Sequence, residues 1–196
     1  VRVAAAHAVW LISQQADAAM VDAIVAALQN ADTNKRALMA MLANFGPAAN
    51  KATARLTEFA TAGPLELRTD AAFALWKVTQ DADTPVALLT KIMKMELPNE
   101  KKDYRGTAIR TLGRIGSAAE SAIPVLTEYL AKEKTSYRAA WALAKIGPAS
   151  LPALKKAAAS DNSRIRGEAP KAVANRNTVP PAVSRMISSP CVLVIA

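Results

Sequence analysis

Along this chain, apolar residues recur at helical spacing. Leu67, Ala71, Leu75 and Val78 stand at i, i+4, i+8 and i+11, and Tyr104, Ala108, Leu112 and Ile115 repeat that ladder. Such spacing places each set on one stripe of a helix. A glycine follows the stripe in three copies of the pattern, at 46, 116 and 147, where a helix C-terminus favours a left-handed residue. Pro47 and Pro148 come next and stop the helix. A second stripe then begins: Val21, Ile24 and Leu28; Val86, Leu89 and Met93; Ile123, Leu126 and Leu130. The predicted unit is helix, tight turn, helix, short loop. Runs of alternating Val, Ile and Thr are missing, so the pattern predicts an all-α chain.

The unit repeats. Leu112-Gly-Arg-Ile-Gly116 returns as Leu143-Ala-Lys-Ile-Gly147 and as Leu42-Ala-Asn-Phe-Gly46, with looser copies at Leu75, Val9 and Val173. Neighbouring anchors lie 33, 33, 37, 31 and 30 residues apart. Neither helix of a unit can bury its stripe alone, so the units must stack. The phrase Leu-Gly-x-Ile-Gly, followed by Ala-x-x-Ala-Ile-Pro-x-Leu at 119–126, resembles the short bacterial HEAT-like repeats first described in phycobilisome lyases. A basic residue heading the first helix (Arg2, Lys35, Arg68, Arg105, Arg166) is also similar to that family. The resemblance implies an α-solenoid of about six two-helix repeats, near 1–32, 33–65, 66–102, 103–134, 135–162 and a partial 163–177. A non-repeat apolar tail occupies 178–196. In function the family mostly supplies scaffolds.

Composition agrees with close-packed helices: 52% of residues are hydrophobic, only 5% aromatic, and alanine is abundant. No run of eighteen apolar residues is present, so no transmembrane segment is expected. The chain opens at Val1 without a charged-then-apolar leader, as a trimmed chain or a fragment would. Val1, Ala5 and Ile12 open directly in a core stripe, which predicts an apolar end that is exposed or covered by a contact. The polar stretch 95–103 reads as an exposed insertion. Cys191 to Ala196 reads as a docking segment, predicted to cap the last repeat at Ala169, Ala172 and Val173. Self-association through the repeat ends or the tail is a further expectation.

Catalytic motifs are missing. The sequence holds neither a phosphate-binding Gly-x-x-x-x-Gly-Lys loop nor a dinucleotide-binding Gly-x-Gly-x-x-Gly after a strand. One histidine cannot make a paired-histidine zinc site, and one cysteine cannot make a disulfide framework. His7 falls opposite its helix's apolar stripe and reads as a surface residue. Cys191 has no sequence-local base. No cofactor, metal or catalytic residue is expected, and the chain is read as a non-enzyme.

Charge gives the strongest functional hint. Residues 1–100 carry nine Lys/Arg and ten Asp/Glu, whereas 101–196 carry sixteen and six, within a net charge of +9. A basic half invites a polyanion. Asp32, Glu66, Asp103 and Asp161 lie just upstream of Lys35, Arg68, Arg105 and Arg166, so those basic residues are expected to pair with them in a structural ladder. Outward positions of the second helices, two beyond the core leucines, are Glu58, Lys91, Glu128 and Lys156. Their alternating sign suits a protein partner better than a phosphate backbone. Five positions beyond the basic anchor, an outward column reads His7, Ala40, Phe73, Arg110, Trp141 and Lys171, flanked by Trp10 and Trp76. Variable outward columns are where repeat proteins place binding residues; covering of the rings by neighbouring loops is the plainer alternative. The expected interaction surface is therefore Glu58, Lys91, Glu128, Lys156, Phe73, Trp76 and Trp141. The expected function is a scaffold or adaptor for another macromolecule, a protein before a nucleic acid. A basic solenoid of the kind found in HEAT-like alkylpurine DNA glycosylases, similar in repeat architecture only, is the alternative; a lyase-type enzyme subunit is a third.

Overall fold

The computed structural model describes residues 10, 16–30, 33–95, 103–163 and 165–167, and the described residues are helical or turn throughout, with no strand among them. The helices are α1 (Ala18–Leu28), α2 (Lys35–Phe45), α3 (Thr53–Thr61), α4 (Leu65–Thr79), α5 (Asp83–Lys94), α6 (Tyr104–Ile115), α7 (Ile123–Tyr129), α8 (Ser136–Ile146) and α9 (Leu151–Ala158). None of them is long and apolar enough to cross a membrane.

Helix starts follow from capping side chains. The carboxylate of Asp17 accepts from Met20 N at 2.7 Å, Asn34 Oδ1 from Ala37 N at 3.2 Å, and Asp103 Oδ1 from Gly106 N at 2.9 Å. Each satisfies a donor that the first turn leaves without an intrahelical partner. The first helices α2, α6 and α8 end at Gly46, Gly116 and Gly147, with φ of 58°, 73° and 92°. Their ψ values of −137°, −137° and −143° lie outside the left-handed helical well, in a region close to glycine's own. The expected tight turn is also longer than a simple reversal. Gly46–Ala52 and Gly116–Ala122 are 3₁₀ segments that lead into α3 and α7. In α4 the stop falls one residue later, on Gln80, at φ 59°.

The chain forms two compact units, the first running to Leu89 and the second from Thr90. In the first unit, α2 packs beside α4, α3 packs on α4, and α1 packs on α2 and on the 46–52 segment. Val21, Ile24, Leu42, Leu56, Ala71 and Leu75 are almost fully buried between them. Salt bridges at the surface join neighbouring repeats, Arg36 to Asp70 at 2.7 Å and Lys51 to Asp22 at 3.2 Å.

In the second unit the first helices α6 and α8 pack side by side, α7 packs against both α8 and α9, and the repeat stack is thereby built in two layers. Ala108, Leu112, Leu126, Leu130, Leu143 and Leu154 form its core. Buried alanines on the packed face of α8 (Ala139, Ala140, Ala142) let the helices approach closely. These are the stripes expected from the spacing, so the fold is an all-α solenoid of two-helix repeats.

The N-terminal stripe (Val1, Ala5, Ile12), His7, the body of the 95–103 insertion, most of the partial sixth repeat and the tail with Cys191 lie outside the described residues.

Candidate functional site

A surface cleft arises where α8 packs on α6, and two glycines of α6 shape that contact. Gly106 and Gly113 lie seven residues apart and so share one helical face. A methyl built on Gly113 would stand 2.8 Å from Trp141 Cε3 and nearer still to Cζ3. One built on Gly106 would stand 2.6 Å from Arg138 Nη1 and run into the Asp103 carboxylate. Glycine inside a helix costs roughly 0.5–1 kcal/mol relative to alanine. Here it admits the Trp141 ring at one point and the Arg138–Asp103 ion pair at the other.

Outside that contact, Arg110, Arg114, Lys134, Tyr137, Arg138 and Trp141 line a cleft of about 680 Å³. Arg110 and Arg114 are one turn apart on α6, both exposed, and Lys134 stands in the loop before α8. Tyr137 is 69% exposed, the most exposed large hydrophobic side chain among the described residues. Trp141 is half-buried, and the Lys145 ammonium lies over its ring at 5.8 Å from the centroid. Arg138 pairs with the Asp103 carboxylate. The result is a cationic rim around two aromatic rings, one anchored and one open. Such a site can hold an anionic group and an apolar side chain together.

The expected surface residues divide. Trp141 is part of the cleft, next to Arg110 of the same outward column. Phe73 and Trp76 belong to the first unit, where both are half-buried and pack on each other at 5.5 Å and 55°. The Lys77 ammonium sits 5.2 Å from the Trp76 ring. Trp10, at the matching place in the first repeat, packs on Phe45 at 5.5 Å. Glu58, Lys91, Glu128 and Lys156 are all exposed, and Glu58 pairs with Arg55 within its own helix. Sequence reasoning passed over Tyr137, Lys134 and Arg138. The available signal was Tyr137, an aromatic next to the buried Ser136, on the outer side of α8.

The basic ladder is structural, and its arginines take backbone carbonyls, that of Asp161 among them, where carboxylates were expected; Asp32, the acid expected beside Lys35, lies outside the described residues. Lys35 donates to the Asn30 carbonyl, and Arg68 Nε to that of Gly63 at 2.8 Å. Arg105 donates to the Met93 and Met95 carbonyls at 3.2 and 2.7 Å, and Arg166 to that of Ser160 at 3.0 Å. Each cation therefore reaches back to the end of the preceding helix, where carbonyls lack intrahelical donors and the helix dipole favours positive charge. Asp103, expected beside Arg105, instead caps α6 and binds Arg138. The described members of the ladder are committed to holding repeats together.

Residues 104–132 and 137–160 match the family model described as the PBS lyase HEAT-like repeat. These spans contain α6 with α7 and nearly all of α8 with α9, so the HEAT-like reading is borne out at the two repeats that build the cleft. No curated protein matches the chain. Among solved structures, the chain is similar to two crystallised engineered proteins. One is 25% identical at a TM-score of 0.48, with 85% of this chain and 83% of that one covered. The other is 20% identical at 0.47, with 85% of each covered.

Proposed function

We propose that this protein is a non-catalytic scaffold or adaptor that holds another protein against the surface of its stacked helices. The observation that carries this reading is the α6–α8 cleft, with an anchored indole, an exposed phenol and a cationic rim. Aromatic and arginine side chains dominate the energetics of protein interfaces because they bring large apolar area and directional hydrogen bonds together. The repeat fold supports the same reading, since stacked helices offer a long surface whose outward positions vary from copy to copy. The partner's identity is open to direct capture. Cross-linking of the whole protein in the cells that make it, followed by mass spectrometry, is expected to join a protein to Lys134 or Lys145. Recovery of nucleic acid in place of protein would overturn the reading, as would turnover of a substrate by the purified chain.

The basic solenoid gripping nucleic acid is the second reading, favoured by the four cations around the cleft. It is weakened by the second-helix positions, where Glu58 and Glu128 alternate with Lys91 and Lys156.

A further inference from the structure

We infer that the α6–α8 cleft is a docking site for a short acidic segment of a partner protein, one that carries an apolar or aromatic residue among its carboxylates. This rests on the scaffold reading and specifies its ligand. Four features of the cleft lead to it.

The first is where the cations are. Positions matching Arg110 hold Ala40 and Phe73 in the second and third repeats, and those matching Arg114 hold Asn44 and Lys77. The third, fifth and sixth copies carry one cation each at these two places (Lys77, Lys145 and Lys171), and the fourth carries both. A phosphate backbone engages cations spaced along its length, whereas a few carboxylates on a short segment need only one cluster.

The second is the anion that the rim already accepts. Arg138 binds the carboxylate of Asp103, so a side-chain carboxylate fits the guanidinium geometry at this place. Arg110, one helix away, has no hydrogen-bond or ion-pair partner among the described residues. An incoming carboxylate would meet there a donor set that is already oriented by α6.

The third feature is the pair of rings. Trp141 is held edge-on in the notch of Gly113, so its position is set before any ligand arrives. Tyr137 lies one turn earlier on α8 and keeps most of its surface in solvent. Preorganised rings offer apolar contact at little entropic cost. They call for an apolar or aromatic side chain in the ligand, which a run of carboxylates alone would lack.

The fourth is size. At about 680 Å³ the cleft accommodates a few side chains of a peptide.

The test is fluorescence anisotropy with a fluorescein-labelled short peptide of Asp and Glu around one central Phe. Its counterparts carry Lys for the acids or Ser for the Phe, and an oligothymidylate of equal charge is run beside them. The acidic Phe peptide is expected to bind tightest of the four. The R110E/R114E pair should weaken it by about tenfold or more, as charge reversal at a complementary interface does. A control pair with the same charge change away from the cleft, K94E/K155E, should leave the affinity within about twofold. Y137S, a change at an exposed ring that leaves the core intact, should cost about threefold or more and lose the preference for Phe over Ser. Equal loss in both charge-reversed pairs would reduce the effect to net charge and overturn the site. Equal binding of the lysine peptide, or tighter binding of oligothymidylate, would overturn the ligand assignment. A cellular partner that cross-links in equal yield to the R110E/R114E chain would remove the cleft's role while the scaffold reading stands.

Discussion

At the scale of single residues, glycine plays two separate parts in this protein, and substitution can tell them apart. Gly113 has ordinary helical surroundings but no room, because the Trp141 ring occupies the space a methyl would need. Gly147 has room on every side but a φ of 92°, which an L side chain adopts only under strain. Gly113→Ala gains up to about 1 kcal/mol of helix propensity and loses about 1–3 kcal/mol to overpacking. A net destabilisation is therefore expected, visible as a lower Tm in circular dichroism. Gly147→Ala should cost about 1–3 kcal/mol through backbone strain alone. Adding Trp141→Leu removes the ring's edge from Gly113 and should make the alanine at 113 tolerable. It should do nothing for the alanine at 147. A Gly113→Ala variant that melts at or above the parent temperature would mean that the indole does not sit where α6 leaves space for it.

At the scale of elements, the end of α5 is held by side chains from the two helices that follow it. Arg105 of α6 and the Tyr129 hydroxyl of α7 both donate to the Met93 carbonyl, and Arg105 also reaches Met95. A buried carbonyl that keeps one donor loses less than one that keeps none. Arg105→Met is expected to cost about 1–3 kcal/mol and Tyr129→Phe about 1 kcal/mol. The double variant should exceed the sum of the two by about 0.5 kcal/mol or more, since the pair shares one acceptor. Urea unfolding of the four chains measures this directly, and strict additivity would show that the two donors act independently. The same rung shows what the sequence could carry. Basic residues at the head of the first helix in every copy but the fifth are plain in the repeat register, and so is their structural role. Their partners are hidden, because a helix's terminal carbonyls leave no mark in the side-chain pattern, whereas acids such as Asp103 do. The cleft is half legible for a similar reason. Arg110 and Trp141 stand out as members of a variable outward column. The inclusion of Arg138 and Tyr137 depends on how closely α8 approaches α6. Gly106 and Gly113 set that approach through contacts between repeats, which spacing within one repeat does not contain.

At the scale of the whole molecule, the uneven division of charge separates a protein-binding scaffold from a nucleic-acid clamp. All of the net +9 comes from residues 101–196, since residues 1–100 are slightly acidic, and a basic half of this kind will attract any polyanion at low salt. Attraction alone therefore decides little; the number of phosphates engaged decides more. Each phosphate neutralised on duplex DNA adds about −0.9 to the slope of log K against log salt. The cations of the cleft are Arg110, Arg114, Lys134 and Arg138, and the last is already bound to Asp103. On the second helices of the same unit, Glu128 stands between Lys91 and Lys156, which breaks any uniform track. With four cations gathered at one place, the chain is expected to contact about four phosphates or fewer at once, with a slope no steeper than about −4. Duplex binding should be undetectable near physiological salt, while the acidic Phe peptide, whose affinity draws also on the two rings, should still be measurable there. Anisotropy titrations of a labelled duplex and of the peptide across a salt series check both halves. A duplex slope near about −6, or duplex binding that outlasts the peptide's as salt rises, would mean a longer phosphate track and would make this a nucleic-acid-binding solenoid.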